Sequence, residues 1–181
     1  KKRRTLDSLV GIESLSEQVA SLGGALGEQE DDPVGRGDTV GVCVLDREGN
    51  LAASVSTGGI WMKMPGRIGD SPLPGAGLWA VNGCGAAVAT GTGEAILRVL
   101  LCREVVDRME AGAGAGCSAG IALLEEVFGS GSGGVVGIDK DGEASFAFNT
   151  RGMGRALWRE GSEEIATAIW PDEDWDRPLP G

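Results

Sequence analysis

Among its 181 residues the chain has no histidine and no tyrosine. The first absence removes imidazole as the base of any reaction carried here. Aromatic residues, five Trp and three Phe, amount to 4%, too few for stacking platforms that hold single-stranded nucleic acid. Positive charge is short as well: 16 Lys+Arg against 27 Asp+Glu give a formal net charge of −11, which argues against a nucleic-acid partner. The run Lys1-Lys2-Arg3-Arg4 has the composition of a nuclear signal, a weak motif on its own. The four cysteines (Cys43, Cys84, Cys102, Cys117) form no CxxC pair and have no histidine for company, so no metal site is expected. Cys43 and Cys102 read as small buried hydrophobes, and Cys84 has no visible base to make it a nucleophile. No apolar run approaches the ~18 residues of a membrane span, and no signal-peptide pattern is seen. The expectations are no membrane, no oxidising compartment and, by default, the cytoplasm.

What is present is a globular composition, 41% hydrophobic with 32 glycines. The length fits one domain with a real core. In residues 1–26, Leu6, Leu9, Ile12, Leu15, Val19, Leu22 and Leu26 fall three or four apart, which predicts one amphipathic helix. Residues 27–38, with Glu28, Glu30, Asp31, Asp32 and Pro33, read as an acidic, exposed linker where a chain is readily cut. From Thr39 onward the pattern turns to strands. Those over Val40–Asp46 and Leu51–Ser56 are joined by the turn Arg47-Glu48-Gly49-Asn50. After a Gly/Pro loop over 58–75, strands follow at 77–81 and 85–89, one helix with apolar residues from Ile96 to Met109, and another over 118–128. Strands at 134–139, 144–149 and 165–170 complete an order ββββ–αα–βββ, which predicts a layered α+β fold rather than a doubly wound parallel sheet.

The candidate chemistry starts at Thr39, at the head of the first of these strands. A cut before it, between Asp38 and Thr39, gives one residue both a hydroxyl nucleophile and a free α-amine of pKa about 7.7–8.0, able to take the hydroxyl proton. A turn centred between Glu48 and Gly49 pairs Val40 with Thr57 and puts Thr57 within reach of Thr39, to within one residue of register. Thr90-Gly91-Thr92-Gly93 reads as a strand-to-helix junction whose backbone N–H groups, with the Thr90 hydroxyl, can hold an oxyanion. Arg67 and Asp70 match the α-carboxylate and α-amino group of an amino acid. Taken singly, each feature has an ordinary reading: a loop ion pair for Arg67 and Asp70, helix caps for Thr90 and Thr92.

In combination these residues resemble a known family. The blocks Gly37-Asp38-Thr39-Val40-Gly41-Val42, Asn50-Leu51-Ala52-Ala53, Ser56-Thr57-Gly58-Gly59, Pro65-Gly66-Arg67-Ile68-Gly69-Asp70-Ser71-Pro72, Gly75-Ala76-Gly77, Ala89-Thr90-Gly91-Thr92-Gly93-Glu94 and Phe148-Asn149-Thr150-Arg151-Gly152-Met153 are similar to the type-2 asparaginase family. These are N-terminal-threonine (Ntn) hydrolases: plant-type L-asparaginase/isoaspartyl aminopeptidase, glycosylasparaginase and threonine aspartase. The resemblance covers most of residues 37–170. It implies a four-layer αββα sandwich, of which this chain holds mainly the β-subunit half, residues 39–181. It implies self-cleavage at Asp38–Thr39, Thr39 as nucleophile with Thr57 in support, and an oxyanion hole from Thr90 and Gly91. Substrate would be held by Arg67 and Asp70 with Gly91, and aspartate would be released from L-asparagine or β-aspartyl peptides without a cofactor.

Within the family the choice rests on a few positions. Asp38 before Thr39 and the pair Trp79-Ala80 resemble threonine aspartase, an endopeptidase, whereas Asp70 favours a substrate with a free α-amine. Asp70–Gly77 and Ala86–Gly91 are also similar to glycosylasparaginase, and Asn149–Met153 to asparaginase. Family α subunits are far longer than the 38 residues that precede Thr39 here. The expectation is therefore a missing α segment or a partner chain, an (αβ)2 assembly when complete, or an inactive fragment.

Overall fold

The computed structural model describes residues 6–13, 39–112 and 116–173, with only the backbone of 6–13. In chain order the elements are β1 (Leu6–Glu13), β2 (Val40–Asp46), β3 (Leu51–Ser56), β4 (Leu78–Val81), β5 (Gly85–Gly91), α1 (Gly93–Val99), α2 (Leu101–Glu110), α3 (Gly116–Phe128), β6 (Gly133–Asp139), β7 (Ala144–Phe148), β8 (Gly154–Arg159) and β9 (Ala166–Ala168). They form an α+β fold with two antiparallel sheets, ordered β3-β2-β1-β8-β9 and β4-β5-β6-β7. Among the described residues no helix is long and apolar enough to cross a membrane.

Alternation along the strands sorts side chains into two cores. On β2, Cys43 and Leu45 face the second sheet. There they pack with Ala86 and Val88 of β5, Val136 and Ile138 of β6, and Leu157 of β8. The opposite faces of β5 and β6 present Ala87, Ala89 and Val135 to Ile96, Leu101, Val105, Ile121 and Leu124 of the helices. β5 is thus buried on both sides, which its small residues permit. Each fully buried valine or leucine contributes roughly 1.5–3 kcal/mol. Close contacts need glycine: a Cβ on Gly41 would lie 2.9 Å from Val88 Cγ2, and one on Gly120 would lie 2.6 Å from Val105 Cγ2. All three helices lie on the four-stranded sheet, so the described residues make three layers.

Several expectations need correcting. Leu6–Glu13 is a strand, not the start of a helix; the rest of the expected helix, residues 14–26, and the linker 27–38 with Asp38 lie outside the described residues. A spacing of three among Leu6, Leu9 and Ile12 does not exclude a strand when Leu9-Val10-Gly11-Ile12 runs apolar. Pairing decides: β1 lies between β2 and β8, bonding antiparallel to both, with Val10 opposite Cys43 and Leu157. Such ladders outweigh the weak preference of a short helix.

The single helix expected from Ile96 to Met109 is two. Leu100 takes the left-handed conformation (φ 48°) and divides α1 from α2, whose first N–H groups bond back to the loop: Cys102 N–H to Ala76 O and Arg103 N–H to Gly75 O. β8 is not among the expected strands, and it carries Arg155. That arginine is buried, stacked 4.0 Å over the Phe146 ring, and donates to the carbonyls of Met153, Trp170 and Glu173. With the ion spread over an aromatic face and three carbonyls, the strand can bury it.

Candidate active site

The β2–β3 turn sets the first part of the site. Asp46 is buried, and its Oδ1 accepts the N–H groups of Glu48 (3.0 Å) and Asn50 (2.8 Å). Gly49 supplies the positive φ of 80° that the turn requires. The resulting register pairs Leu45 with Leu51 and Val40 with Ser56. This is one residue from the expected pairing, and it carries Thr39 opposite Thr57. Thr39 is buried at 8% exposure, and its hydroxyl donates to that of Thr57 at 3.2 Å. The Thr57 hydroxyl oxygen in turn accepts the Gly59 N–H at 3.0 Å.

β5 contributes the facing wall. Thr90 lies on the same face as Val88, the residue that meets Gly41, and Thr39 lies on the same face as Gly41. Each threonine is therefore one pleat from that contact, on the facing sides of the two sheets. Thr90 and Gly91 are the last residues of β5, not the first turn of a helix. Thr92 is the N-cap residue of α1, and its carbonyl accepts the first helical N–H groups, but its side chain makes no capping bond. Successive N–H groups point to opposite edges of a strand. Ala89 N–H goes to Gly77 O beside β4 and Thr92 N–H to Ser132 O beside β6, at 2.9 and 2.8 Å. By that alternation Gly91 N–H is directed away from β6, past the end of β4. Only glycine fits at 91: φ is 138°, and a Cβ would lie 2.4 Å from Ser132 O.

The loop between β3 and β4 brings in the charged pair. Arg67 does not bond Asp70 as a loop ion pair. Instead Nε and Nη2 donate to the two carboxylate oxygens of Glu94, at 2.8 and 3.0 Å, from the first turn of α1. The fork rests where side chains are missing. A Cβ on Gly69 would lie 2.8 Å from Arg67 Nη1, and one on Gly93 would lie 2.9 Å from both Arg67 Nη2 and Asp70 Oδ1. The Glu94 hydrogen bond raises the Arg67 pKa and lowers that of Glu94. Asp70 is 7% exposed; burial raises its pKa, the nearby Arg67 charge opposes that rise, and its Oδ2 has no hydrogen-bond partner. An unpaired carboxylate oxygen beside an arginine is suited to receive an ammonium group, with the guanidinium next to it for a carboxylate.

The structure thus gathers Thr39 with Thr57 and Arg67 with Glu94 and Asp70. The short step from Thr90 to Gly93 along β5 and α1 joins the two groups. The Arg67–Glu94 partnership is not legible in the sequence, because their spacing along the chain carries no signal of contact.

The chain matches the family model described as asparaginase over residues 11–167. It is 46% identical over 126 residues to the plant-type L-asparaginase of Pyrobaculum calidifontis, covering 68% of this chain and 42% of that protein. Against the isoaspartyl peptidase of Escherichia coli it is 42% identical over 137 residues, covering 75% of this chain and 42% of that protein. Against the isoaspartyl peptidase/L-asparaginase of Xenopus laevis it is 36% identical over 150 residues, 82% of this chain and 47% of that protein. The chain spans less than half the length of each of these relatives. With Thr39 at the head of β2, Thr90 at the end of the facing β5 and a glycine-cradled arginine beside a buried aspartate, the matched sequence and the described geometry lead to one statement: the chain belongs to the type-2 asparaginase family.

Proposed function

We propose that the chain serves as the nucleophile-bearing part of an amidohydrolase that releases aspartate from L-asparagine or β-aspartyl peptides. The observation that carries this reading is the buried Thr39 hydroxyl held against Thr57 at the head of β2. Cleavage of the Asp38–Thr39 peptide bond frees the Thr39 amine. That amine takes the hydroxyl proton as Oγ1 attacks the side-chain carbonyl carbon of the substrate. The negative charge that forms on the carbonyl oxygen is met by the Thr90 hydroxyl and Gly91 N–H. When the carbon–nitrogen bond breaks, the Thr39 ammonium returns its proton to the leaving ammonia or peptide amine. Water, deprotonated by the same amine, then opens the Thr39 ester and releases aspartate.

Arg67 receives the substrate α-carboxylate and the buried, unpaired Oδ2 of Asp70 its α-ammonium. This assignment favours substrates with a free α-amine over internal peptide bonds, and so favours asparaginase chemistry over an endopeptidase. The four-layer αββα sandwich is part of the same proposal: Val42, Val44 and Trp158, half-buried on the side of the five-stranded sheet away from the second sheet, offer the ground for the fourth layer. Mass spectrometry and N-terminal sequencing after incubation test the cleavage, and aspartate release from a β-aspartyl dipeptide tests the turnover. A fragment beginning at Thr39 together with aspartate release is the expected result. A chain that, expressed with any missing α portion, stays whole and releases none would overturn the proposal.

A further inference from the structure

The block around Asn149 has no part in the chemistry above, yet its side chain makes a dense set of bonds. Oδ1 accepts the N–H groups of both Ser132 (3.0 Å) and Gly133 (2.9 Å). Nδ2 donates to Ser132 Oγ (3.0 Å) and Gly129 O (3.3 Å). The backbone adds Asn149 N–H to Gly133 O and Gly131 N–H to Asn149 O, at 3.0 and 2.9 Å. One residue thereby fixes the turn 129–133 from four sides. Gly129 and Gly131, both at positive φ, have little conformational preference of their own to hold it.

That turn is the seat of the end of β5. Ser132 is buried, and its carbonyl accepts the Thr92 N–H at 2.8 Å. The same carbonyl, with Gly133 Cα, presses on Gly91 so closely that no Cβ fits there. Gly91 and Gly133 are paired in the ladder. A shift of Ser132 would therefore be passed on to the Gly91–Thr92 peptide and to the direction of the Gly91 N–H.

We propose that Asn149 is a positioning residue for the oxyanion-binding end of β5: by holding Ser132 and Gly133 it aims the Gly91 N–H at the reacting carbonyl. The inference rests on the amidohydrolase reading and deepens it. Loss of one well-placed donor costs about 100- to 1000-fold in kcat, and a donor held but misdirected costs less. The test compares the parent with Asn149→Ala, Asn149→Gln and Asn149→Asp, using β-aspartyl dipeptide turnover and hydrogen exchange at the Thr92 amide.

The alanine and glutamine variants should lower kcat at least tenfold per folded molecule, with KM within threefold, and speed Thr92 exchange at least tenfold. The aspartate variant keeps the acceptor for both N–H groups but loses the donor and sets a carboxylate oxygen against Gly129 O, so its kcat should fall between those of the parent and the alanine variant. If the alanine variant does not fold, the glutamine variant, which displaces the amide by one methylene, carries the test. A folded glutamine variant with parental kcat and parental Thr92 exchange would overturn the inference. If the parent itself shows no turnover, the amidohydrolase reading fails, and Thr92 exchange alone decides whether Asn149 holds this strand end.

Discussion

The Thr39 hydroxyl meets the Thr57 hydroxyl at 3.2 Å across the mouth of the β2–β3 hairpin, and Thr57 is itself steadied by the Gly59 N–H. Thr57→Val keeps the shape and removes the partner. It should lower kcat roughly 100-fold, the low end for a positioned proton-handling group, while Thr39→Ala removes turnover entirely. Steady-state kinetics on a β-aspartyl dipeptide, with circular dichroism to verify folding, checks both.

Glu94 is the handle of the arginine clamp. Its side chain is 58% exposed and that of Arg67 16%, so solvent screens the pair and little stability is at stake. Its effect should appear in binding: Glu94→Gln weakens a charge-assisted bond to Arg67 and should raise KM about tenfold, roughly 1.4 kcal/mol, with kcat within threefold. Because the arginine lowers the Glu94 pKa, the parent should keep the clamp through the ordinary glutamate range and lose it only at still lower pH. A kcat loss without a KM change would contradict this.

Asp70 should show a conflict between stability and function. Its folded pKa is raised above the ordinary 3.8 by burial. The group therefore favours folding below 3.8, and that contribution is lost as pH rises through the folded pKa. Asp70→Asn should accordingly melt higher than the parent at pH 7, with the gap closing as pH falls through this window. The same variant should lose at least 100-fold in kcat/KM for substrates with a free α-amine. In the parent, KM should rise on acidification at a pH above 3.8, where the carboxylate becomes protonated.

Asp46, at the other end of the hairpin, sets where the threonines meet. Both its oxygens also accept from Asn50 Nδ2, at 3.0 and 2.8 Å. Asp46→Ala leaves turn N–H groups without partners and should cost about 1–3 kcal/mol, measured by urea unfolding. Activity per folded molecule should fall with it, since the Thr39–Thr57 register depends on this turn.

Much of the fold from Thr39 onward is legible in the sequence because pattern and burial agree there: β2, β3, β5 and α3 follow from alternation, helical spacing and Gly-bearing turns. The site's residue types were legible for the same reason, since Thr39, Thr57, Arg67 and Asp70 stand in short blocks near strand ends. What stayed hidden depends on distant partners. β1 is a strand because β2 and β8 flank it, and β8 is a strand because Phe146 covers Arg155. The Arg67–Glu94 pair spans 27 residues and the Asn149–Ser132 contacts 17, distances over which one sequence gives no register.

The place of β1 has a consequence for a chain severed before Thr39. The piece ending at Asp38 would still be stitched into the sheet along both edges, to β2 on one side and β8 on the other. Such a nicked molecule should run as two bands under denaturing conditions yet migrate as one particle in native buffer, its front fragment kept in place by strand pairing on both sides.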